Sequence, residues 1–321
     1  MTGFRIVFMG TPAFAVASLD ALVRSGAHIA GVVTAPDRPA GRGLRAHESE
    51  VKRYAAAHGL ALLQPEKLRD PDFQDALRAW RADIQVVVAF RMLPESVWNM
   101  PPQGTINVHA SLLPQYRGAA PINWALINGE KETGITTFRL EHQIDTGQVL
   151  LQRSCPITPE MTAGQLHDVL KELGAAVLLD TLRGLSDGTL HAVPQPFAQE
   201  LRHAPKITTE TCRIDWTKST ESIHNLVRGL SPYPGAFTTL EGKTMKIFAV
   251  EAHEEPVMEK ILPPGTLSTD GKAFLAFTCP DGWLRVTDLQ LEGKKRMRTE
   301  DFLRGWRGPS GSPTDGSTSK S

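Results

Sequence analysis

Two polar side chains stand two residues apart in Asn107-Val108-His109, at the end of a short apolar run that begins near Thr105. Side chains in an extended strand repeat every two residues, so the amide and the imidazole leave the strand on one side. The pair combines a hydrogen-bond donor with a group that gives and takes protons near neutrality. Upstream the chain is apolar and downstream it is loop-like, which is where open α/β sheets place their ligands. Pro114, Gly118 and Pro121 shape the loop that follows, and the turn Asp145-Thr146-Gly147 holds a carboxylate that can reach the histidine. Taken singly, each residue has an ordinary reading: a turn-forming Asn, a His bound to backbone, an Asp opening a turn.

A second stretch argues against one familiar chemistry. Gly10-Thr11-Pro12-Ala13-Phe14-Ala15 sits between a strand-like and a helix-like segment, where a dinucleotide fingerprint would lie. That fingerprint needs Gly-x-Gly-x-x-Gly so that backbone can approach a pyrophosphate. Pro12 and Ala15 replace its second and third glycines, and proline removes an N–H from the cradle. Binding of NAD or FAD is not expected.

The elements that must hold these residues follow from periodicity. Residues 5–9, 29–34, 60–63, 84–90, 105–108 and 133–138 read as strands. Helical patterns fall at 14–23, from 50 to 58 and around 72–81, the first stopped by Gly26. This alternation predicts a Rossmann-like, doubly wound α/β domain over residues 1–188, built on a parallel sheet. A proline-bearing stretch, 189–206, reads as a linker. Residues 207–307 show one helix at 219–230, with hydroxyl caps at its start, and strands at 236–240, 245–250, 265–267, 273–278 and 283–289. That pattern predicts an OB-type antiparallel β-barrel. The Gly/Ser/Thr/Pro-rich segment 308–321 is expected to be a disordered tail.

Composition narrows the function classes. In 321 residues, 41% are hydrophobic, and 35 Lys plus Arg balance 35 Asp plus Glu. The chain can fill real cores, and a nucleic-acid partner must meet local patches, since bulk positive charge is absent. Two such patches stand out: Arg38, Arg42 and Arg45 in a Gly/Pro-rich loop, and Lys294, Lys295, Arg296 and Arg298. The three cysteines, Cys155, Cys212 and Cys279, are far apart and suit neither a disulfide framework nor a metal knuckle. No metal is expected. Neither a signal peptide nor a membrane-spanning run is legible, so a cytoplasmic protein is expected.

Together the motifs form a recognisable set. Asn107-Val-His109, Ser111-Leu-Leu-Pro114, Tyr116-Arg-Gly118 and Asp145-Thr-Gly147 resemble the formyltetrahydrofolate-dependent formyltransferases. The opening Phe8-Met-Gly-Thr-Pro-Ala-Phe-Ala, the loop Asp37–Gly43, Ser231-Pro-Tyr-Pro-Gly-Ala and Met297-Arg-Thr-Glu-Asp-Phe are similar to the branch that formylates methionyl-tRNA. The resemblance departs from the common pattern at Leu44-Arg45, where many members carry two lysines, and at Phe90-Arg91, where an aromatic followed by glycine is common.

The resemblance implies an activity and a division of labour. The formyl group of 10-formyltetrahydrofolate would pass to the α-amine of initiator methionyl-tRNA, with no metal required. Asn107 would donate to the developing oxyanion, His109 would move a proton, and Asp145 would orient His109. Ser111, Leu112, Leu113 and Pro114, with Phe90 and Leu93, would face the folate, and Phe14 would either wall the methionyl pocket or fill the core. Arg38, Arg42, Arg45, Lys294 and Lys295 would contact the tRNA, Arg42 entering the acceptor stem. A monomer with neither DNA nor membrane partners is expected. Two other readings stay open: a sugar-nucleotide N-formyltransferase or formyltetrahydrofolate hydrolase or dehydrogenase module, and a non-catalytic RNA-binding protein.

Overall fold

Strand β1 (Arg5–Gly10) is buried from Ile6 onward. A strand apolar on both faces is stable only when both are covered, the situation at the centre of a parallel α/β sheet. The computed structural model describes residues 3–40, 45–253 and 262–306. The chain divides into two units, the first running through Ala125 and adding Glu130–Pro159 and Gln165–Lys206. The second comprises Leu126–Gly129, Glu160–Gly164 and the chain from Ile207 onward.

In the first unit β1 is joined by β2 (His28–Val33), β3 (Leu62–Leu63), β4 (Ile84–Val88), β5 (Thr105–His109), β6 (Glu132–Arg139) and β7 (Val149–Pro156). They form one seven-stranded sheet in the order β7-β6-β5-β4-β1-β2-β3. Strands β1 to β5 run parallel, as the strand–helix alternation predicts. The β6–β7 edge departs from the expected parallel sheet: β6 is antiparallel to β5, and β7 to β6. The loop 140–148 joins these two strands directly, and only antiparallel neighbours permit so short a connection. Strand β4 also stops at Val88, short of the expected Phe90, because Ala89 takes a φ of 47°.

Helices α1 (Ala13–Arg24), α2 (Glu50–Ala57) and α3 (Pro71–Ala79) follow the predicted positions. Asp70 and Ser49 cap α3 and α2 by accepting from Asp72 N and Lys52 N. Short helices α4 (Glu95–Trp98) and α5 (Pro121–Ile127) flank β5 in sequence, and α6 (Ala163–Ser186) covers the sheet. Gly174 permits that approach, since a Cβ there would lie 3.3 Å from Val108. Val108 therefore faces α6, and its neighbours Asn107 and His109 face the other side of the sheet. Asn107 lies in register between Val87 of β4 and Phe138 of β6. Val87 belongs to an apolar cluster with Val7, Met9, Val33, Phe73 and Leu93.

The second unit is built on β8 (Ala236–Leu240), β9 (Lys243–His253), β10 (Leu267–Thr269), β11 (Leu275–Cys279), β12 (Gly282–Leu291) and β13 (Met297–Arg298). All pair antiparallel, in the order β8-β9-β12-β11-β10, with β13 beside β12. Among the described residues β8 and β10 remain edges, so the expected OB-type barrel takes the form of an antiparallel half-barrel sheet. Helix α7 (Thr209–Cys212) precedes α8 (Thr220–Gly229), whose N-cap is Ser219. Ile223 and Val227 of α8 pack into the core with Ile247, Phe277, Val286 and Leu289, together with Phe302 of α9 (Thr299–Arg304). No helix among the described residues is long and apolar enough to cross a membrane.

Phe138 is fully buried and lies edge-on to His109, their ring centroids 6.4 Å apart. Phe138→Ala is expected to cost about 3–5 kcal/mol of folding stability, as large-to-small core changes do. Urea unfolding measures it, and a loss under about 1 kcal/mol would contradict this placement.

Candidate active site

A cavity of about 680 Å³ opens within the first unit. Val87, Phe90, Leu93, Trp98 and Leu140 give it an apolar wall, and Asn107, His109 and Asp145 reach it together. The set that sequence spacing singled out is thus gathered at one place. Phe14 lines the same cavity and meets the His167 ring edge-on at 5.3 Å.

Backbone hydrogen bonding fixes the histidine. His109 is 7% exposed, and its Nε2 lies 2.9 Å from the Tyr116 carbonyl oxygen. A carbonyl only accepts, so Nε2 carries the proton in the neutral ring and Nδ1 is left with its lone pair. Nδ1 faces Asp145 Oδ2 at 4.0 Å, too far for a hydrogen bond. Asp145 Oδ2 instead accepts from the Gly118 N–H at 2.9 Å. The carboxylate is therefore held by the loop beside the histidine, close enough to act on it through charge.

Strain collects at this place. Ala89, Tyr116 and Asp145 have φ values of 47°, 60° and 54°, in the left-handed region that favours glycine. Such residues persist only where neighbours over-determine them, and they cluster at functional sites. Tyr116 is held by its N–H donating to Arg202 O at 2.6 Å and by its hydroxyl donating to Glu130 Oε1. The Asp145 turn is held by Gln195, whose Nε2 donates to the carbonyls of Asp145 and Gly147 at 2.8 and 2.9 Å. Arg117 in turn donates to Gln195 Oε1. Gly147 packs so closely that a Cβ would lie 1.7 Å from Arg139 O.

Gln195 and Arg202 belong to the stretch expected to be a linker, which in the structure braces the first unit. His203–Ala204 pairs with Arg117–Gly118 as a two-stranded ladder, and Gly118 accommodates it with a φ of 127°. Sequence reasoning missed Gln195, since a glutamine among prolines carries no periodic signal. Tyr116 and Gly118 stood within a quoted motif, yet their backbone roles were not legible.

Of the residues expected to face the folate, Phe90 and Leu93 line the cavity, whereas Ser111, Leu112, Leu113 and Pro114 do not. Ser111 is buried and its hydroxyl donates to Gln115 O at 2.7 Å. Thr136 Oγ1 donates to Ser111 O and accepts from Leu113 N, and Gln152 Nε2 donates to Leu113 O at 2.7 Å. The loop's polar backbone is thus fastened to β6 and β7, while Leu112 stays half-buried.

Arg38 is exposed at the start of a short hairpin, Arg38–Ala40 with Arg45–His47. Arg45 contributes its backbone to that hairpin, and Arg42 lies outside the described residues. Lys294 and Lys295 are exposed between β12 and β13. Arg296 is committed elsewhere: it pairs with Asp288 at 2.5 Å and lies 4.3 Å over the Phe248 ring. No group of three or more His, Cys, Asp or Glu side chains among the described residues is arranged to hold a metal ion.

The Rossmann-like sheet brings an amide, an imidazole and a carboxylate together at an apolar cavity, a set suited to a group transfer that moves a proton. Comparison with known proteins names that transfer. Residues 4–182 match the formyl transferase family, and residues 206–307 match the formyl transferase C-terminal domain. The chain is 52% identical over 307 residues to the methionyl-tRNA formyltransferase of Bacteroides fragilis, covering 94% of this chain and 95% of that one. It is 46% identical over 307 residues to that of Flavobacterium johnsoniae, covering 95% and 97%. The chain belongs to the formyl transferase family and is a formyl-transfer enzyme. Two solved structures share the fold at low identity. HypX from Aquifex aeolicus in complex with tetrahydrofolic acid superposes with a TM-score of 0.64 at 19% identity, covering 94% of this chain and 47% of that one. This chain therefore spans about half of HypX. The N-formyltransferase from Helicobacter canadensis gives 0.64 at 17%, covering 91% and 99%.

Gln195→Ala removes both hydrogen bonds that hold the Asp145 turn. Formyl-transfer turnover is expected to fall about tenfold to a hundredfold, the range for misplacing a catalytic group by roughly an ångström. Circular dichroism should show the fold retained. Turnover within twofold of wild type would show that Gln195 does not position the turn.

Proposed function

We propose that this enzyme transfers the formyl group of 10-formyltetrahydrofolate to the α-amine of initiator methionyl-tRNA. The observation that carries the reading is the convergence of Asn107, His109 and Asp145 on one apolar cavity in a chain 52% identical to methionyl-tRNA formyltransferase. The cavity suits the co-substrate: about 680 Å³ lies within the usual range for small-molecule sites, and Val87, Phe90, Leu93 and Trp98 offer a flat ring an apolar slot. Ser111–Pro114 adjoins Ala110 on the cavity wall and is assigned to the same ligand, as the motif resemblance implies.

The bound folate supplies an activated formyl group on nitrogen; the chain's own residues do the rest. Asn107 donates its amide N–H to the formyl oxygen as negative charge develops there during attack by the amine. His109, with Nε2 committed to Tyr116 O, exchanges protons through Nδ1, taking the one lost by the amine and returning it to the departing nitrogen. Asp145, held by Gly118 N–H, keeps a negative charge beside Nδ1 while that proton is carried. Phe14 and His167 are assigned to the acceptor side of the cavity. Arg38, Arg42, Arg45, Lys294 and Lys295 are assigned to tRNA phosphates, so binding should weaken steeply with salt. The enzyme is expected to act as a monomer in the cytoplasm.

Labelled formyl is followed from 10-formyltetrahydrofolate to initiator methionyl-tRNA, with elongator methionyl-tRNA and free methionine alongside. Transfer confined to the initiator is the expected result. Folate binding without transfer to any tRNA would overturn the acceptor assignment and point to another amine. Asn107→Ala and His109→Ala should each lower turnover by about 10²–10³, the usual cost of losing an oxyanion donor or proton carrier. Turnover within tenfold of wild type for either would contradict its role in the transfer.

A further inference from the structure

The carbonyl that accepts from His109 Nε2 belongs to the peptide joining Tyr116 to Arg117. Its direction depends on what holds the residues on either side. Arg117 is tied to Gln195 through its guanidinium, and the Tyr116 N–H is tied to Arg202 O. The dihedral under strain at Tyr116 is φ, at 60°. Rotation about N–Cα would relieve that strain while leaving the N–H bond in place, and would swing Cβ and the carbonyl carbon together. An anchor at the far end of the side chain therefore resists the same motion that would carry the carbonyl off the imidazole.

The anchor is a carboxylate. Tyr116 is buried, and its hydroxyl donates to Glu130 Oε1. The same oxygen accepts from Arg202 Nη1. Arg202 thus meets Tyr116 twice, through its backbone carbonyl and through the carboxylate that both side chains share. The Arg202 guanidinium is held above the ordinary arginine range, first by a hydrogen bond with Tyr116 and then by the Glu130 charge. Glu130 stands between α5 and β6, outside the loop that it holds, and its own N–H donates to Ala125 O at 2.9 Å. An ionised carboxylate binds a hydroxyl about twice as strongly as a neutral acceptor does. Neither Glu130 nor Arg202 lines the cavity, and in Asn128-Gly129-Glu130-Lys131 the carboxylate reads as an ordinary turn residue.

We propose that Glu130 is a positioning residue for formyl transfer: by anchoring the Tyr116 hydroxyl it keeps the Tyr116 carbonyl on His109 Nε2, and so keeps Nδ1 turned to the substrate. This inference rests on the proton-carrying role proposed for His109 and extends it to a residue outside the cavity. The left-handed Tyr116 is then over-determined in the way such residues require, its N–H fixed by one segment and its hydroxyl by another. The peptide it presents to His109 lies between two tethered side chains, Tyr116 on Glu130 and Arg117 on Gln195.

The test uses the full-length enzyme and the variants Y116F, E130A and E130Q. Proton NMR of the free enzyme follows the His109 Nε2 proton, assigned by its loss in H109N, which the bond to Tyr116 O shields from solvent. Its exchange is expected to quicken at least about tenfold in Y116F and E130A and to stay near wild type in E130Q, while the amides of β1 and β4 exchange as in wild type. Turnover with 10-formyltetrahydrofolate and initiator methionyl-tRNA should fall about five- to tenfold in Y116F and E130A, with KM for both substrates within about twofold, since only the proton carrier is displaced. E130Q keeps an acceptor for the hydroxyl and should retain at least about a third of wild-type turnover. The double variant Y116F/E130A should be slower than E130A by no more than about twofold, as when two changes break one link. Wild-type exchange and turnover in Y116F and E130A, or losses that add in the double variant, would overturn the positioning role. Quicker exchange of the β1 and β4 amides together with the His109 proton would assign Glu130 to general stability and overturn it too. Y116F keeps the buried ring, so it remains informative should E130A fail to fold. Wild-type turnover in H109A would instead overturn the reading of His109 on which the inference rests, whatever Glu130 does to the ring.

Discussion

The hydrogen bond between His109 Nε2 and the Tyr116 carbonyl, 2.9 Å long, is the interaction on which the proposed mechanism depends. A carbonyl cannot donate, so one ring nitrogen is spent on orientation and only Nδ1 remains for chemistry. The rest of the first unit is arranged around that choice. Strand β5 aims the imidazole away from α6, Phe138 closes its edge, and the Asp145 carboxylate is brought to 4.0 Å from Nδ1. A shorter contact would commit Nδ1 to the carboxylate; at this distance the charge acts on the ring and the nitrogen stays available to a substrate.

Holding that geometry needs a backbone that ordinary loops do not adopt. Tyr116 presents its carbonyl, and Asp145 its carboxylate, from left-handed conformations that cost of order 1–3 kcal/mol each. The structure stabilises them from one side with the segment that runs from Gln195 to Ala204. Gln195 fastens the Asp145 turn, Arg202 O receives the Tyr116 N–H, and Ala204 pairs with Gly118, whose own N–H holds the Asp145 carboxylate. A single strap therefore sets both ends of the His109 environment without lining the cavity.

Much of this is legible in the sequence. The period-two placement of Asn107 and His109 on a strand end, and the later Asp145, identify the residues that meet. The loss of glycines at Pro12 and Ala15 turns attention from nucleotide cofactors. The strands β1, β2, β4 and β5 stand out because buried parallel strands read as apolar runs. What escapes is non-local. The antiparallel β6–β7 edge depends on a loop connection, and strand periodicity is the same in either direction. Helix α6 is the local exception: Leu166, Leu170, Val177, Leu178 and Leu182 lie on its buried face at helical spacing, a signal present in the sequence. The bracing role of residues 189–206 is hidden because its contacts are backbone carbonyls and one amide side chain, which leave no pattern.

The tautomer of His109 is the most direct test of this mechanism. Nitrogen-15 NMR of the histidine-labelled enzyme, with the His109 signals assigned by their loss in H109N, reports which ring nitrogen carries the proton in the neutral state. A protonated Nε2 and an unprotonated Nδ1 are expected in the free enzyme. A neutral ring protonated at Nδ1, with that proton donated to Asp145, would contradict the mechanism and place the proton-transfer atom on the other side of the ring.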